Sequence, residues 1–210
     1  MPDLSGLTNA VEVGDRKTAV ILTVQAITDG IDPRTILAAM TTAMDTVGGR
    51  FQRNKIFIPE LLVAARAMKE ATAVLEPELA CAGLHPEHVA VLGTVEGDLH
   101  DIGKNLVGML WRGANIDVID LGENVPPGQF VAAVKEHRAD LVGISALLTT
   151  TMVGMASVVT AIRDAGFADV KIMVGGAPIT DEFAREIGAD GYANDAGAAV
   201  EVARRVLSHV

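Results

Sequence analysis

The sequence predicts an α+α/β chain, in which an N-terminal four-helix bundle precedes a doubly wound sheet of five parallel strands. Two observations lead to this fold class. Over residues 1–80, apolar positions recur every three or four residues, which is the spacing of an amphipathic helix. From His88 onward, short apolar runs alternate instead with amphipathic segments. We therefore predict a helical-bundle domain at 1–82, a linker at 83–87 and an α/β domain at 88–210.

The helices of the bundle follow from apolar stripes and from start and stop signals. The first three stripes are Leu4, Leu7 and Val11, then Val20, Ile21, Val24 and Ile27, then Ile36, Leu37, Met40, Met44 and Val47. Gly30 should end the second helix. Asp32-Pro33 should start the third, because a capping carboxylate followed by Pro is typical of a helix start. Gly48-Gly49 should end the third helix, and Pro59 should open the fourth, which is the longest.

The second half of the sequence, from His88 onward, predicts a parallel sheet. Its five strand-like runs are HVAVLGTV, NIDVIDLG, DLVGISAL, DVKIMVGGA and DGYAN, and a helical segment follows each. This alternation indicates parallel strands with helices on both faces. The length of this half suits the flavodoxin-like strand order 2-1-3-4-5. Ligands of such sheets bind beyond the carboxyl ends of the strands, so the loops after strands one, three, four and five form the candidate site.

Charge and composition exclude several function classes. The chain has 17 Lys and Arg against 27 Asp and Glu, a net charge of −10, whereas nucleic-acid binding needs clustered positive charge. The lone Cys81 excludes an internal disulfide and a metal cluster made of cysteines alone. The sequence shows no signal peptide and no apolar run of about 18 residues. We expect a cytoplasmic protein with neither a nucleic-acid nor a membrane partner.

The loop after the first strand carries the strongest chemical signal. It contains Gly97 and Gly103, but their spacing matches neither the Walker nor the dinucleotide-binding pattern, and Asp98 and Asp101 would repel a phosphate. Asp98 precedes His100 by two residues, so its carboxylate could hold one ring nitrogen and leave the other free for a metal. A surface histidine with a local ion pair is the alternative. No further ligand has zinc-site spacing, and a single protein ligand suits a metal that arrives in its own macrocycle.

The other loops at this end of the sheet offer weaker signals. The hydroxyls of Ser145, Thr149 and Thr151 could bind a polar ligand group or the Asp-His pair, or they could simply cap a helix. Gly175-Gly176 would allow a ligand to approach the backbone closely, or would form an ordinary tight turn. Lys104, at the start of a predicted helix, receives no role.

These motifs resemble those of the cobalamin-binding corrinoid proteins of methyltransferase systems, and they are similar to the cobalamin-binding module of cobalamin-dependent methionine synthase. The family pattern D-x-H-x-x-G, S-x-L and G-G is present in order as Asp98-Leu99-His100-Asp101-Ile102-Gly103, Ser145-Ala146-Leu147 and Gly175-Gly176. Residues 49–61 resemble part of the helical cap of the same family. The resemblance covers nearly the whole chain and implies a Rossmann-like, cobalamin-binding α/β domain.

The resemblance also implies roles for the matched residues. His100 would be the lower axial ligand to cobalt, in place of the cofactor's own base, with Asp98 as its hydrogen-bond partner and Thr151 completing a proton relay. Ser145 and Thr149 would line the slot for the displaced nucleotide tail. The other implied cofactor contacts are Gly97, Leu99, Asp101, Ile102, Gly103 and Leu147 in the first two motifs, Gly175, Gly176 and Ala196 along the slot, and Phe51, Ile58 and Leu61 in an apolar cap. For these last three, ordinary bundle core is the alternative.

The function implied is that of a corrinoid methyl carrier. Such a subunit takes a methyl group from a substrate-specific methyltransferase and gives it to a second methyltransferase, whose acceptor is a tetrahydrofolate or a thiol, while a reductive activator restores the cobalt. It would not be a complete enzyme on its own. Two alternatives are a cobalamin-binding regulatory sensor and the small subunit of an adenosylcobalamin mutase. The sensor's W-x9-E-H motif is absent, since the only Trp is Trp111, and the mutase subunit normally lacks the helical cap.

Overall fold

The computed structural model describes residues 3–208, which form two compact units. The helical unit runs up to Pro86 and includes Gly113–Asn115, and the α/β unit comprises Glu87–Arg112 and the chain from Ile116 onward. The change of unit after Pro86 falls inside the segment that we predicted as a linker. The limits of the domains as separately folding parts stay a prediction.

Within the described residues, the helical unit contains four helices: α1 (Ser5–Glu12), α2 (Arg16–Thr28), α3 (Pro33–Gln52) and α4 (Ile58–Cys81). The start signals act as predicted. The side chain of Asp32 accepts a hydrogen bond from the N–H of Arg34, and Pro33 occupies the first turn of α3. Gly30 follows the end of α2 with a φ of +71°, a conformation that glycine adopts without strain. The bundle therefore begins and ends its helices largely where the local sequence requires.

The prediction that Gly48-Gly49 ends α3 was wrong, because the helix continues to Gln52. A glycine inside a helix costs only about 1 kcal/mol relative to alanine, and packing can offset that cost. The buried Val47 and the half-buried Phe51 are one turn apart, so the apolar stripe passes across the glycine pair. The helix ends instead just before Asn54, whose φ is +54°.

The apolar stripe predicted for α2 was also wrong. Its buried residues are Ala19, Thr23 and Ala26, whereas Ile21 is 63% exposed and Val24 is also exposed. Spacings of four and three place the small residues on one face of the helix. The hydroxyl of Thr23 donates a hydrogen bond to the carbonyl of Ala19 at 2.8 Å, so Thr23 can be buried without an unsatisfied donor. Of the predicted stripe, Val20 and Ile27 are half-buried, and Ile21 and Val24 lie on the solvent side of the helix.

The α/β unit confirms the predicted fold class. Its strands in the described chain are β1 (His88–Thr94), β2 (Ile116–Asp120), β3 (Leu141–Ser145), β4 (Lys171–Gly175) and β5 (Gly191–Ala193). They are all parallel and lie in the order β2-β1-β3-β4-β5. The last residues of β1 and β3, Thr94 and Ser145, are directly paired. The loops that follow these two strands therefore start side by side.

Six helices of the described residues connect or follow these strands: α5 (Ile102–Gly113), α6 (Pro127–His137), α7 (Thr149–Met152), α8 (Gly154–Asp164), α9 (Asp181–Glu186) and α10 (Ala196–Leu207). We predicted one helix where α7 and α8 occur, and the chain instead forms a separate single turn before Val153. That turn carries Thr151 close to the end of β3.

Two apolar clusters cover the two faces of the sheet. Adjacent residues of β3 point into different clusters: Leu141 packs with Trp111, and Val142 packs with Phe130, as strand geometry requires. Trp111 is fully buried and donates its indole N–H to the carbonyl of Ala199 at 3.1 Å. The sheet is thus covered on both sides, and the carboxyl ends of its strands carry the candidate site.

Candidate functional site

The carboxylate of Asp98 is the centre of the candidate site. It lies in the loop between β1 and α5, and it is fully buried. Its Oδ1 accepts hydrogen bonds from the backbone N–H of His100 at 3.0 Å and from the ring Nδ1 of His100 at 2.7 Å. The predicted Asp-His contact is therefore formed, and the turn between the two residues fixes the orientation of the imidazole.

The other carboxylate oxygen joins this loop to the one after β3. Oδ2 of Asp98 accepts hydrogen bonds from the hydroxyl of Thr151 at 2.6 Å and from the N–H of Leu147 at 2.8 Å, with the N–H of Leu148 farther away at 3.4 Å. Strand order reverses between β1 and β3, which is where α/β sheets of this type bind ligands. Asp98 thus ties together the two loops on either side of that switch point.

The donors around Asp98 keep it ionised. Burial alone would raise the pKa of this carboxyl, but the hydrogen bonds from Thr151, Leu147 and His100 lower the pKa well below its usual range. An ionised carboxylate can only accept hydrogen bonds, so Nδ1 of His100 must carry the proton. In a neutral ring the lone pair is then on Nε2, and the His100 side chain is 50% exposed. This arrangement is suited to a metal ligand whose other nitrogen is held by a carboxylate.

The loops around His100 expose an unusual amount of apolar surface. Leu99, which directly precedes His100, is 65% exposed, and Ile102, two residues after His100, is 73% exposed. Leu147 and Leu148, whose N–H groups face Asp98, are also exposed, as is Val153. A cluster of exposed large aliphatic side chains at one end of a sheet marks a binding surface for an apolar partner or ligand.

The glycine pair after β4 has an explanation within the chain. Gly176 adopts a φ of +134°, and a Cβ placed there would lie 1.8 Å from the carbonyl oxygen of Ala146. A Cβ on Gly175 would lie 3.1 Å from the carbonyl oxygen of Ala193. The close passage of the loops after β3 and β4 therefore requires at least Gly176. The role of this pair in a cofactor slot stays a prediction.

The remaining residues of the predicted slot lie on the α/β unit. Ser145 ends β3 and is half-buried, Thr149 is exposed, and Ala196 is buried at the start of α10. Of the other loop residues, Asp101 accepts a hydrogen bond from the side chain of Asn105 at 2.9 Å. Gly97 adopts a φ of +84°, and a Cβ on Gly103 would meet no atom within 4 Å. Contact between these residues and a cofactor stays a prediction.

The three predicted cap residues lie in the helical unit. Phe51 is half-buried near the end of α3, Ile58 is exposed at the start of α4, and Leu61 is fully buried one turn later. Leu61 thus shows the core placement that we gave as the alternative. A capping role for these residues stays a prediction.

An ion pair next to the site was missed from the sequence. Lys104 has a side-chain exposure of 1%, and its Nζ lies 2.6 Å from Oδ1 of Asp120 at the end of β2 and 2.8 Å from the side-chain oxygen of Asn105. Burial would raise the pKa of Asp120, but the hydrogen bond from Lys104 lowers it. A positive charge in the first turn of a helix is destabilised by the helix dipole. The position of Lys104 in the sequence could therefore have indicated that it pairs with a carboxylate.

Between residues 3 and 208, no group of three or more His, Cys, Asp or Glu side chains could hold a metal ion. No helix in the same part of the chain has the length and apolarity to cross a membrane.

Comparison with known proteins places this arrangement in a family. Residues 88–201 match a family model described as the B12 binding domain, and residues 4–76 match a second model of the same description. The chain belongs to the B12-binding family. It is 40% identical over 208 residues to dimethylamine corrinoid protein 2 of Methanosarcina acetivorans, with 97% of this chain and 95% of the relative covered. The resemblance stated from the sequence motifs is confirmed.

Two solved structures are similar over nearly the whole chain. One is a cobalamin-binding protein from Desulfitobacterium hafniense, with a TM-score of 0.82, 30% identity and coverage of 98% of this chain and 99% of that one. The other is the methanol:cobalamin methyltransferase complex of Methanosarcina barkeri, with a TM-score of 0.86, 28% identity and coverage of 98% and 79%. The cofactor expected from the sequence, cobalamin, is confirmed by this family membership.

The geometry of the site fits such a cofactor. Because a macrocycle supplies most of its metal's ligands itself, one protein nitrogen would suffice to hold cobalamin's metal, and His100, with a half-exposed side chain, would provide it through Nε2. The aliphatic side chains around His100 provide apolar surface of the kind that a macrocycle can cover.

Proposed function

We propose that the chain is a corrinoid methyl-carrier subunit, which binds cobalamin with the cofactor's own base displaced and His100 as the lower axial ligand. The observation that carries this proposal is the contact between Asp98 Oδ1 and His100 Nδ1 at 2.7 Å, in which a buried carboxylate occupies one nitrogen of a half-exposed imidazole and leaves Nε2 free. Bound cobalamin supplies a cobalt centre that accepts and donates a methyl group.

The residues of the chain would contribute orientation and protection. Asp98 fixes the ring plane of His100 and, being ionised, increases the basicity of the ligand. Thr151 donates to the far oxygen of the same carboxylate and so completes a hydrogen-bonded path from His100 to the loop after β3. The exposed aliphatic residues Leu99 and Ile102 would exclude water from the face of the ring that His100 approaches.

The proposal includes partners that carry the substrate specificity. The names of the relatives, a dimethylamine corrinoid protein and a methanol:cobalamin methyltransferase complex, support a substrate-specific methyltransferase as the first partner. A second methyltransferase, with a tetrahydrofolate or a thiol as acceptor, and a reductive activator complete the proposed cycle. We place this cycle in the cytoplasm.

The test is corrinoid binding by the wild type, by His100→Ala and by a matched control, His137→Ala, which removes an exposed histidine from α6. Each protein is incubated with hydroxocobalamin, desalted, and examined by absorption. The cobalamin is then reduced to cobalt(II) for electron paramagnetic resonance of ¹⁵N-labelled protein. A protein nitrogen on cobalt changes the axial nitrogen splitting from a triplet to a doublet.

We expect the doublet in the wild type and in His137→Ala, and its loss in His100→Ala. Methyl transfer should then require an added methyltransferase. A wild type that retains no corrinoid, or that shows only the triplet of the cofactor's own base, would contradict the axial role of His100. Methyl transfer by the isolated chain at the rate of the complete system would contradict the carrier assignment.

A further inference from the structure

The segment that follows β2 lies beside the loop that follows β1 and is hydrogen-bonded to it in succession. The N–H of Leu121 donates to the carbonyl of Leu92 at 2.8 Å. The N–H of Thr94 then donates to the carbonyl of Gly122 at 3.0 Å, and the N–H of Val125 donates to the carbonyl of Thr94 at 2.9 Å. Residues 121–125, which we call the support, are therefore held by backbone hydrogen bonds along the end of β1, directly before the loop that carries His100.

Asn124 extends this support to the peptide groups on both sides of Asp98. Its side-chain Oδ1 accepts a hydrogen bond from the N–H of Gly97 at 2.8 Å, and its own N–H donates to the carbonyl of Asp98 at 3.0 Å. Asn124 adopts a φ of +54°, a left-handed conformation that asparagine tolerates better than most residues. A single residue thus holds the backbone just before and just after the carboxylate that orients His100.

The residue directly before this segment, Asp120, is also hydrogen-bonded on both sides. Oδ1 of Asp120 accepts hydrogen bonds from the N–H of Gly122 at 2.9 Å and from the buried ammonium of Lys104 at 2.6 Å. Lys104 lies in the first turn of α5, immediately after the His100 loop. The support is therefore attached to both ends of that loop, and Asn124 is its contact with the middle.

We propose that Asn124 is a positioning residue for the axial ligand, acting through Gly97 and Asp98 rather than by contact with the cofactor. This inference rests on the proposed function, because it assumes that His100 binds cobalt. A loop that already has the ligating conformation loses less conformational freedom when the cofactor binds. If the loop were free to sample other conformations, the apparent affinity of His100 for cobalt would equal its intrinsic affinity multiplied by the fraction of time that the loop spends in the ligating conformation.

Two substitutions separate the side-chain contact from the backbone conformation. Asn124→Gly keeps the positive φ accessible and removes the acceptor, whereas Asn124→Asp keeps an acceptor oxygen and a residue type that tolerates this φ. The matched control is Asn115→Gly, because Asn115 has a φ of +63° but lies just before β2, at the opposite end of the strand from this loop.

The first measurement is made without cofactor. Amide hydrogen exchange at Gly97, followed by NMR, should become faster in Asn124→Gly because its acceptor is lost. It should stay near the wild-type rate in Asn124→Asp and Asn115→Gly. Unchanged exchange at Gly97 in Asn124→Gly would overturn the proposal, whatever the chain does with a corrinoid.

The second measurement is the ratio of histidine-bound to histidine-free cobalt(II) corrinoid, from the nitrogen splitting described above. We expect this ratio to fall about three- to fivefold in Asn124→Gly, which corresponds to the net contribution of one hydrogen bond, and to recover in Asn124→Asp. Equal ratios in the wild type and Asn124→Gly would overturn the positioning role. Equal loss in Asn124→Asp would overturn the role of its side-chain oxygen. If the wild type lacks histidine-bound cobalt altogether, the proposed function fails instead, and the two failures are distinct.

Discussion

Replacing Thr151 by valine should destabilise the α/β unit through the Asp98 carboxylate. Valine keeps the branched shape of threonine but has no hydroxyl, so Oδ2 of Asp98 loses the donor at 2.6 Å. Asp98 is fully buried, and water cannot easily replace the missing donor. The N–H of Leu147 remains at 2.8 Å, so the oxygen keeps one strong partner.

The magnitude follows from the charge on the acceptor. A hydrogen bond to an ionised group contributes about 1.5–3 kcal/mol to stability, more than a neutral one. We therefore expect Thr151→Val to lower the free energy of unfolding by about 2 kcal/mol. Thr151→Ser is the matched control, because it keeps the hydroxyl and loses only a partly buried methyl group, at a cost of about 0.5 kcal/mol.

The chain offers a convenient assay for this unit. Trp111 is the only tryptophan, and it is fully buried in the α/β unit. Its fluorescence during urea unfolding reports the stability of that unit, and the midpoint at constant slope gives the change in free energy. The measurement is made on cofactor-free protein, so that corrinoid binding does not contribute.

The pH dependence supplies a second check. The folded pKa of Asp98 is depressed, so its stabilisation is complete above the ordinary carboxyl pKa of about 3.9 and is lost as the pH falls toward the lower folded value. Thr151→Val moves that folded pKa back upward. The difference in stability between the two proteins should therefore be constant near neutral pH and should narrow only as the pH falls through the folded pKa of Asp98 in Thr151→Val, which lies below the ordinary carboxyl range. A difference that is constant with pH, or equal for Thr151→Val and Thr151→Ser, would refute the reasoning.

Two further predictions use the same fluorescence titration. Lys104→Met removes the buried partner of Asp120 and should lower the free energy of unfolding by about 1–3 kcal/mol. The control Lys135→Met, at an exposed position on α6, should change it by less than about 0.5 kcal/mol. Equal effects would mean that the ion pair contributes nothing to stability. Gly176→Ala should cost more than about 3 kcal/mol, because its Cβ would lie 1.8 Å from a carbonyl oxygen. Gly128→Ala, with no atom within 4 Å of its Cβ, should change stability by less than about 1 kcal/mol, and a similar loss in both would contradict the steric explanation.

The parts of the fold that the sequence predicted are those with strong local patterns. Each of the five apolar runs became a strand, their alternation with helices predicted a parallel sheet, and the length of this half suited the order 2-1-3-4-5 that the structure shows. The contact between Asp98 and His100 was predictable for a similar reason, because two residues of separation in a loop keep the two side chains within reach. These features need little knowledge of distant parts of the chain.

The failures involve competition between local preference and packing. Glycine weakens a helix but does not forbid it, so Gly48-Gly49 could not show by itself that α3 continues. In α2, Ala19 and Ala26 are weakly hydrophobic, and the larger Ile21 suggested the wrong face. Packing against neighbouring helices decided both outcomes, and that information is not in the local sequence.

Long-range polar contacts were the least predictable part of the site. The hydroxyl of Thr151 reaches Asp98 across 53 positions of sequence, and before the family resemblance the loop sequence offered it only as one of three candidate hydroxyls, with helix capping as the alternative. The partners of Lys104 and Asn124 depend on where the end of β2 lies relative to the loop after β1. Since parallel neighbours are joined through crossovers, such contacts require the strand order and the register together.

The bond between Thr151 and Asp98 also has a consequence for synthesis on the ribosome. A nascent chain that has emerged only as far as α6 contains Asp98 and His100 but lacks the donors of β3 and α7 that hold the second carboxylate oxygen. In such a fragment the second oxygen of the Asp98 carboxylate has no donors from Leu147 and Thr151, and the strand that should pair with β1 on that side is missing. If His100 is the axial ligand, as we propose, the ligating arrangement would therefore be complete only after β3 and α7 have been translated.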